Sequence, residues 1–264
     1  MINGLSLFSG IGGLDVALSE WVRPIAYCEI DSYCQGVLLS RMASGDLVHA
    51  PIWDDIRTLR IRPQEVDIDI IYCGFPCQDI SIAGLGKGLA GERSGLFFEI
   101  VRLAKEIKPT FIFLENVPAI TSRGGLQVVR EITKMGYDCR WCIISAASVG
   151  ALHKRERWFL LAHSNSTRLQ EQRNGKISAE KKYPRSSNSC EDVADSRCLS
   201  ERGEKEPERS HDQPTRRSRF WETQSGVGKL ADGVSDRVAK LRAIGNAVVP
   251  QQAKEAFKIL MGLK

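Results

Sequence analysis

The sequence predicts an α/β domain with a mostly parallel sheet. Two observations carry this. Over the first 163 residues short apolar runs alternate with helical patterns, the mark of successive βαβ units. The chain has 264 residues, 42% of them hydrophobic and 26% charged. These are ordinary globular values, and the length fits one large domain, or a medium and a small one, at roughly 150 residues each.

The elements follow in order. An apolar run at 5–8 leads into Ser9-Gly10-Ile11-Gly12-Gly13 and then a helical face carrying Leu14, Ala17, Leu18 and Trp21. A second strand is expected at 25–28 and a helix at 31–43. A strand at 67–73 (DIDIIYC) precedes a helix at 96–107 and a strand at 111–114. A helix at 126–135 is followed by strands at 138–145 and 157–162, and one amphipathic helix is expected over 248–261, with Pro250 suited to its first turn.

Composition narrows the setting. No run reaches the roughly 18 apolar residues that cross a bilayer, and no secretory signal is visible at the start. A cytoplasmic protein with reduced thiols is the expectation. Of the eight cysteines, Cys139 and Cys142 form a C-x-x-C inside the strand-like YDCRWCIIS. A zinc site would bring a second close pair in a polar knuckle, so these read as free, partly buried thiols, with no metal. The net charge of +5 is a mild basic bias, compatible with a polyanionic partner.

Residues 164–218 differ from the rest. Only nine of these 55 residues are hydrophobic, against 12 Lys/Arg and 10 Asp/Glu. So polar a segment cannot bury enough apolar surface to offset its chain entropy. It reads as an insertion, a ligand-dependent segment or a disordered arm, and as the most protease-sensitive part of the chain.

Five short motifs carry chemistry. Phe8 to Leu14 joins a strand to a helix through three glycines, letting a ligand approach the backbone. Glu29 ends the next strand, where an acid can accept from ribose hydroxyls, and Asp55 follows a third apolar patch. Gly74-Phe75-Pro76-Cys77-Gln78 places a thiol just past a strand end, ahead of a glycine-rich, lid-like stretch at 78–95. Glu115 ends an apolar strand, where burial would raise its pKa. In His153-Lys154-Arg155-Glu156-Arg157, Arg155 and Arg157 are expected on one strand face. Gly245-Asn246-Ala247-Val248-Val249-Pro250 opens the final helix.

In this order the motifs resemble those of the bacterial and phage DNA (cytosine-5) methyltransferases: FSGIGG their cofactor motif, GFPCQ their nucleophile motif, ENV their glutamate motif, HKRERWF their Arg-x-Arg motif and GNAVVP their C-terminal Asn motif. The resemblance covers 1–163 and about 231–264. It implies a Rossmann-like S-adenosylmethionine-dependent methyltransferase sheet, discontinuous in sequence, with a small polar target-recognition insert at 164–230.

It also implies roles. Phe8, Gly10 and Gly12 would line the S-adenosylmethionine pocket, Glu29 take the ribose, Ile30 pack on adenine and Asp55 read its amine. Leu96, Asn246 and Val248 would complete the pocket, so the last helix must pack next to the first strand. Cys77 would add to carbon 6 of a flipped cytosine, Glu115 hold or protonate N3, Arg155 bind the base carbonyl and Arg157 orient the site. Double-stranded DNA is the implied substrate and a companion restriction endonuclease the implied partner; the protein itself is expected to be a monomer. His153 stands where the family often has Gln. Within 164–230 the aromatics are Tyr183, Phe220 and Trp221, with Arg216, Arg217 and Arg219 beside the last two. That basic group suits phosphates as well as it suits a solvated charge run. An RNA methyltransferase, or a binding protein inactive through its recognition region, are the alternatives.

Overall fold

The computed structural model describes residues 1–62, 64–76, 95–165 and 237–263. The 78–95 loop (except Gly95), Cys77 and nearly all of 164–230 lie outside them, as does the expected protease sensitivity of 164–218.

The described residues build one seven-stranded sheet with helices on both faces. The elements are β1 (Ile2–Leu7), α1 (Gly13–Leu18), β2 (Val22–Cys28), α2 (Ser32–Ala43), β3 (Ile52–Trp53), β4 (Ile70–Gly74), α3 (Gly95–Ile107) and β5 (Phe111–Asn116). Then come α4 (Ile120–Arg123), α5 (Gly125–Lys134), β6 (Tyr137–Ser145), a 3-10 turn (Ala147–Val149), β7 (Glu156–Ser164), α6 (Arg237–Asn246) and α7 (Pro250–Met261). The strand order is β3-β2-β1-β4-β5-β7-β6. The first five strands pair in parallel, and β7 runs antiparallel between β5 and β6. The connections run outward in opposite directions from β1 and β4, so a crevice opens between those strands at their carboxyl ends.

Side-chain alternation sorts each central strand between two cores. Ile71, Cys73, Ile112, Leu114, Leu160 and Ala162 face α3 and α5, where Ile100, Leu103, Val128 and Ile132 meet them. Ile70, Tyr72, Phe111, Phe113, Phe159 and Leu161 face α1 and α7. Phe257 of α7 is central there, 5.3 Å from both Trp21 and Phe113 by ring centroids. Burial on both sides explains why β4 and β5 read as unbroken apolar runs rather than alternating ones.

Three local expectations need correction. β2 begins at Val22, not 25, because it runs through Pro24: the β1 register slips between Gly4 and Leu5, and the bulge absorbs the missing N–H. The C-terminal helix starts at Pro250 rather than 248, since Val249 is extended (φ −80°, ψ 112°) as residues before proline prefer. It packs chiefly on α1, β6 and β7. A separate helix, α6, precedes it; its Val238, Leu241 and Ile244 are all exposed, so it lacks the buried stripe that periodicity detects.

One buried acid sits in this frame. Asp15 of α1 accepts the Tyr72 hydroxyl at 2.7 Å, and its second oxygen has no partner among the described residues. Burial pushes its pKa up to about 6. A carboxyl raised this way stabilises the fold fully below its unfolded pKa, and that contribution is lost as pH rises through about 6. Asp15→Asn is therefore expected to be more stable than the wild type at neutral pH by up to about 3 kcal/mol, with the gap closing towards pH 4. Denaturant unfolding at the two pH values measures it; an equal gap at both would contradict it.

Candidate active site

A cleft opens at the carboxyl ends of β1, β4 and β5. Ser6, Leu7, Phe8, Ser9, Ile11, Gly13 and Leu14 line one wall, Gly74 and Glu115 another, and Asn246, Ala247 and Val248 a third. Residues more than a hundred positions apart in sequence thus meet in one crevice. Val248 is brought in by close approach: a Cβ on Gly13 would stand 2.8 Å from Val248 Cγ1 and 3.2 Å from its carbonyl oxygen. Only glycine leaves room for the C-terminal segment against the β1–α1 turn.

The turn itself is bound from behind. Phe8 (φ +50°), Gly10 (φ +54°) and Gly12 (φ +82°) all take left-handed backbone angles. Glu29, at the end of β2, accepts the Gly10 N–H at 2.7 Å through one carboxylate oxygen and the Asp31 N–H at 2.8 Å through the other. Each oxygen keeps a second acceptor position. Ile30 beside it is 66% exposed, an apolar surface facing solvent. A Cβ on Gly10 would meet nothing within 4 Å. An acid with spare acceptor capacity, an apolar platform and open space beside the turn fit a nucleoside-containing cofactor. Of the expected cofactor residues, Phe8, Asn246 and Val248 line the cleft, and Gly10, Gly12, Glu29, Ile30, Asp55 and Leu96 do not. Asp55 is clasped by Arg57, with Nε at 3.0 and 3.1 Å, which holds its carboxyl below the usual range. Leu96 packs on the core between the sheet and α3.

Glu115 is buried at the end of β5, and Arg157 Nε lies 2.9 Å from its Oε1. Burial raises its pKa to about 7, against the opposing pull of Arg157 and then Arg155. Desolvation therefore outweighs the ion pair, and the group sits poised near neutral pH.

The two arginines do not share a strand face. β7 begins at Glu156, and Arg155 precedes it with φ +26°. Arg157 reaches Glu115, whereas Arg155 Nη2 donates to the carbonyls of Gly245 (2.9 Å) and Ala247 (2.6 Å). The left-handed residue breaks the two-residue alternation on which the shared-face reading depends.

The C-5 cytosine-specific DNA methylase model matches residues 2–240. The chain belongs to that family. Among its relatives, the Type II methyltransferase M.CviJI of Paramecium bursaria Chlorella virus IL3A is 36% identical over 159 residues, 60% of this chain and 42% of the relative. M.HhaI of Haemophilus parahaemolyticus is 32% identical over 172 residues, 63% of this chain and 50% of the relative. The chain spans about half the length of these relatives. A putative DNA modification methyltransferase encoded within an E. coli prophage has the same fold, with a TM-score of 0.52 and 24% identity, over 64% of this chain and 48% of that one. A mutant form of DNMT2 from Spodoptera frugiperda gives a TM-score of 0.52 at 19% identity, over 63% of this chain and 51% of that one.

Three further residues shape this site: Gly74 and Asn116 lie within GFPCQ and ENV with no role read from them there, and Gln252 lies outside every motif. Asn116 Nδ2 donates to the Phe75 carbonyl at 3.0 Å, pinning the run that leads to Cys77. At Gly74 a Cβ would lie 2.8 Å from Glu115 Oε2. Gly74→Ala is therefore expected to displace the Glu115 carboxyl and lower methyl transfer by about 10²-fold, since misplacing a reacting group by about 1 Å costs that much. Parallel turnover and unfolding measurements would check it, and unchanged turnover would count against it.

Proposed function

We propose that the chain transfers a methyl group from S-adenosylmethionine to carbon 5 of a cytosine flipped out of duplex DNA, through a covalent adduct at Cys77. The observation that carries this reading is Glu115: buried, paired with Arg157, and lining the same cleft as Phe8, Asn246 and Val248.

Bound S-adenosylmethionine supplies an electrophilic methyl group on a sulfonium. Phe8, Gly10 and Gly12 would line its site, Glu29 accept its ribose hydroxyls, Ile30 pack on adenine and Asp55 take the adenine amine. Leu96, Asn246 and Val248 would close the site. The Cys77 thiolate adds to carbon 6, and the electron pair of the 5,6 double bond moves towards carbon 5. Glu115 donates its proton to N3 as that charge builds and accepts from the exocyclic amine, which thymine lacks. Carbon 2 carries its oxygen next to N3, so the guanidinium beside Glu115 is the one placed for the base carbonyl. Its place beside Glu115 favours Arg157 for the contact that the resemblance assigns to Arg155, although Arg157 also donates to the Glu156 carbonyl and Arg155 Nε has no partner among the described residues. Carbon 5 then takes the methyl group, the bonding pair staying with the former sulfonium sulfur; loss of the carbon 5 proton to solvent, expulsion of the Cys77 thiolate and return of the N3 proton to Glu115 restore the double bond.

In this reading 1–163 and 231–264 form the catalytic domain and 164–230 the target-recognition region. We also propose a cytoplasmic monomer acting on double-stranded DNA, with a companion endonuclease for the same site. No helix among the described residues is long and apolar enough to cross a membrane.

The test is methyl incorporation from labelled S-adenosylmethionine into duplex DNA and into tRNA by the purified chain. Label at cytosine in DNA alone is the expected result. Label in tRNA alone would move the activity to RNA. No label in either, with cofactor still bound, would make this an inactive binding protein.

A further inference from the structure

Gln252 lies in the first turn of α7 and is fully buried, yet the chemistry above makes no use of it. Its Nε2 donates to two main-chain carbonyls, Ile144 at 2.5 Å and Arg155 at 2.8 Å. Ile144 is on β6 and Arg155 stands at the entry to β7, so one amide joins both arms of the hairpin at its neck. A residue at a helix start ordinarily offers an acceptor to its own helix's N–H groups. Gln252 instead sends its donor out to another element.

The carbonyl it holds belongs to the residue with the left-handed backbone. That residue, Arg155, sends Nη2 to the carbonyls of Gly245 and Ala247, one on either side of Asn246. Two residues further on, Arg157 holds Glu115. The links form a chain: α7 amide, Arg155 backbone, Arg155 guanidinium, then the segment bearing Asn246 and Val248.

We infer that Gln252 is a positioning residue: by fixing the Arg155 carbonyl it sets the reach of the Arg155 guanidinium, and so holds the 245–248 segment against the cofactor end of the cleft. This rests on reading the cleft as an S-adenosylmethionine site. It gives a reason for a fully buried primary amide whose Oε1 finds no partner among the described residues: the two bonds made by Nε2 offset the cost of burying the unpaired oxygen.

The test is a double-variant cycle read by calorimetric titration of S-adenosylhomocysteine into the full chain. Gln252→Met keeps the length and removes the donor. It is expected to raise the Kd about tenfold, the scale of one buried hydrogen bond, and to raise the cofactor KM more than it lowers kcat. Arg155→Met is expected to do the same, and the double variant to be no weaker than either single one, since the two act in series. Unchanged affinity in Gln252→Met, or losses that add in the double variant, overturns the inference. So does a lower melting temperature with wild-type affinity, the outcome for a purely structural amide. Gln252→Glu keeps the shape and, protonated between two carbonyls, one donor; it is expected to fall between. If Gln252→Met does not fold, Gln252→Glu alone and combined with Arg155→Met decides by the same criteria. A wild-type chain that binds no S-adenosylhomocysteine overturns the proposed function and this inference together. A wild type that binds, with variants that bind equally well, overturns this inference alone.

Discussion

Glu115→Gln is expected to slow methyl transfer about 10³-fold, the middle of the range for loss of a positioned general acid, while S-adenosylhomocysteine affinity stays near wild type. The amide keeps the shape but has no proton to give N3. The pH profile carries the sharper evidence. Burial raises the Glu115 pKa to about 7, so the donating form disappears as pH rises through that value. The Cys77 thiolate is gained as pH rises. The two opposing demands give a bell-shaped rate profile in which loss of the Glu115 proton supplies the downward slope. Arg157 is the largest charge holding that pKa down, so in Arg157→Leu the Glu115 proton is expected to be kept to higher pH, shifting the break that Glu115 sets, while turnover falls through the lost contact. Stability follows the same sign: the protonated carboxyl stabilises the fold below its unfolded pKa, and that is lost as pH rises through about 7. Single-turnover methyl transfer from about pH 6 to 9 would resolve both limbs. Turnover within tenfold of wild type in Glu115→Gln, or a falling limb that survives the substitution, would remove Glu115 from the acid role.

The parts of this fold that can be read in advance are those where burial dictates composition. β4 and β5 are covered on both faces, so their runs IIYC and FIFL announce themselves. α3 and α5 bury one stripe each, and their periodicity is visible for that reason. α6 buries no such stripe and has no comparable pattern. β2 reads short because Pro24 looks like a boundary, whereas a bulge carries the strand through it. The same contrast holds at the site. Glu115 can be found because it terminates an apolar strand. Nothing local in the letters around Arg155 reveals its positive φ or its hold on Gly245 and Ala247. Gly74, Asn116 and Gln252 act through contacts 41 to 108 residues away in sequence. Spacing along one strand says nothing of these.

The largest effect is expected at the nucleophile. Cys77→Ala should abolish methyl transfer and leave cofactor affinity near normal, because every later step depends on the bond its thiolate forms to carbon 6. The neighbouring cysteine supplies the control. Cys73 lies in β4, fully buried among core residues, and burial pushes its thiol far above the usual range. It is chemically inert, and Cys73→Ala is expected to reduce stability by about 1–2 kcal/mol through lost packing while turnover persists. Between them the chain leaves the sheet: Gly74 ends β4 beside Glu115, and Phe75 is held by Asn116 through its carbonyl. The backbone is pinned at Phe75, two residues ahead of Cys77 in the sequence, whereas Cys73 is sealed within the sheet. Two cysteines four residues apart therefore have opposite expected roles, one structural and one reactive. Trapping with duplex DNA carrying 5-fluorocytosine separates them. The fluorine at carbon 5 cannot leave as a proton does, so the adduct persists. Wild type and Cys73→Ala should yield a denaturation-resistant protein–DNA species, and Cys77→Ala none. A species that survives Cys77→Ala but vanishes with Cys73→Ala would reverse the assignment.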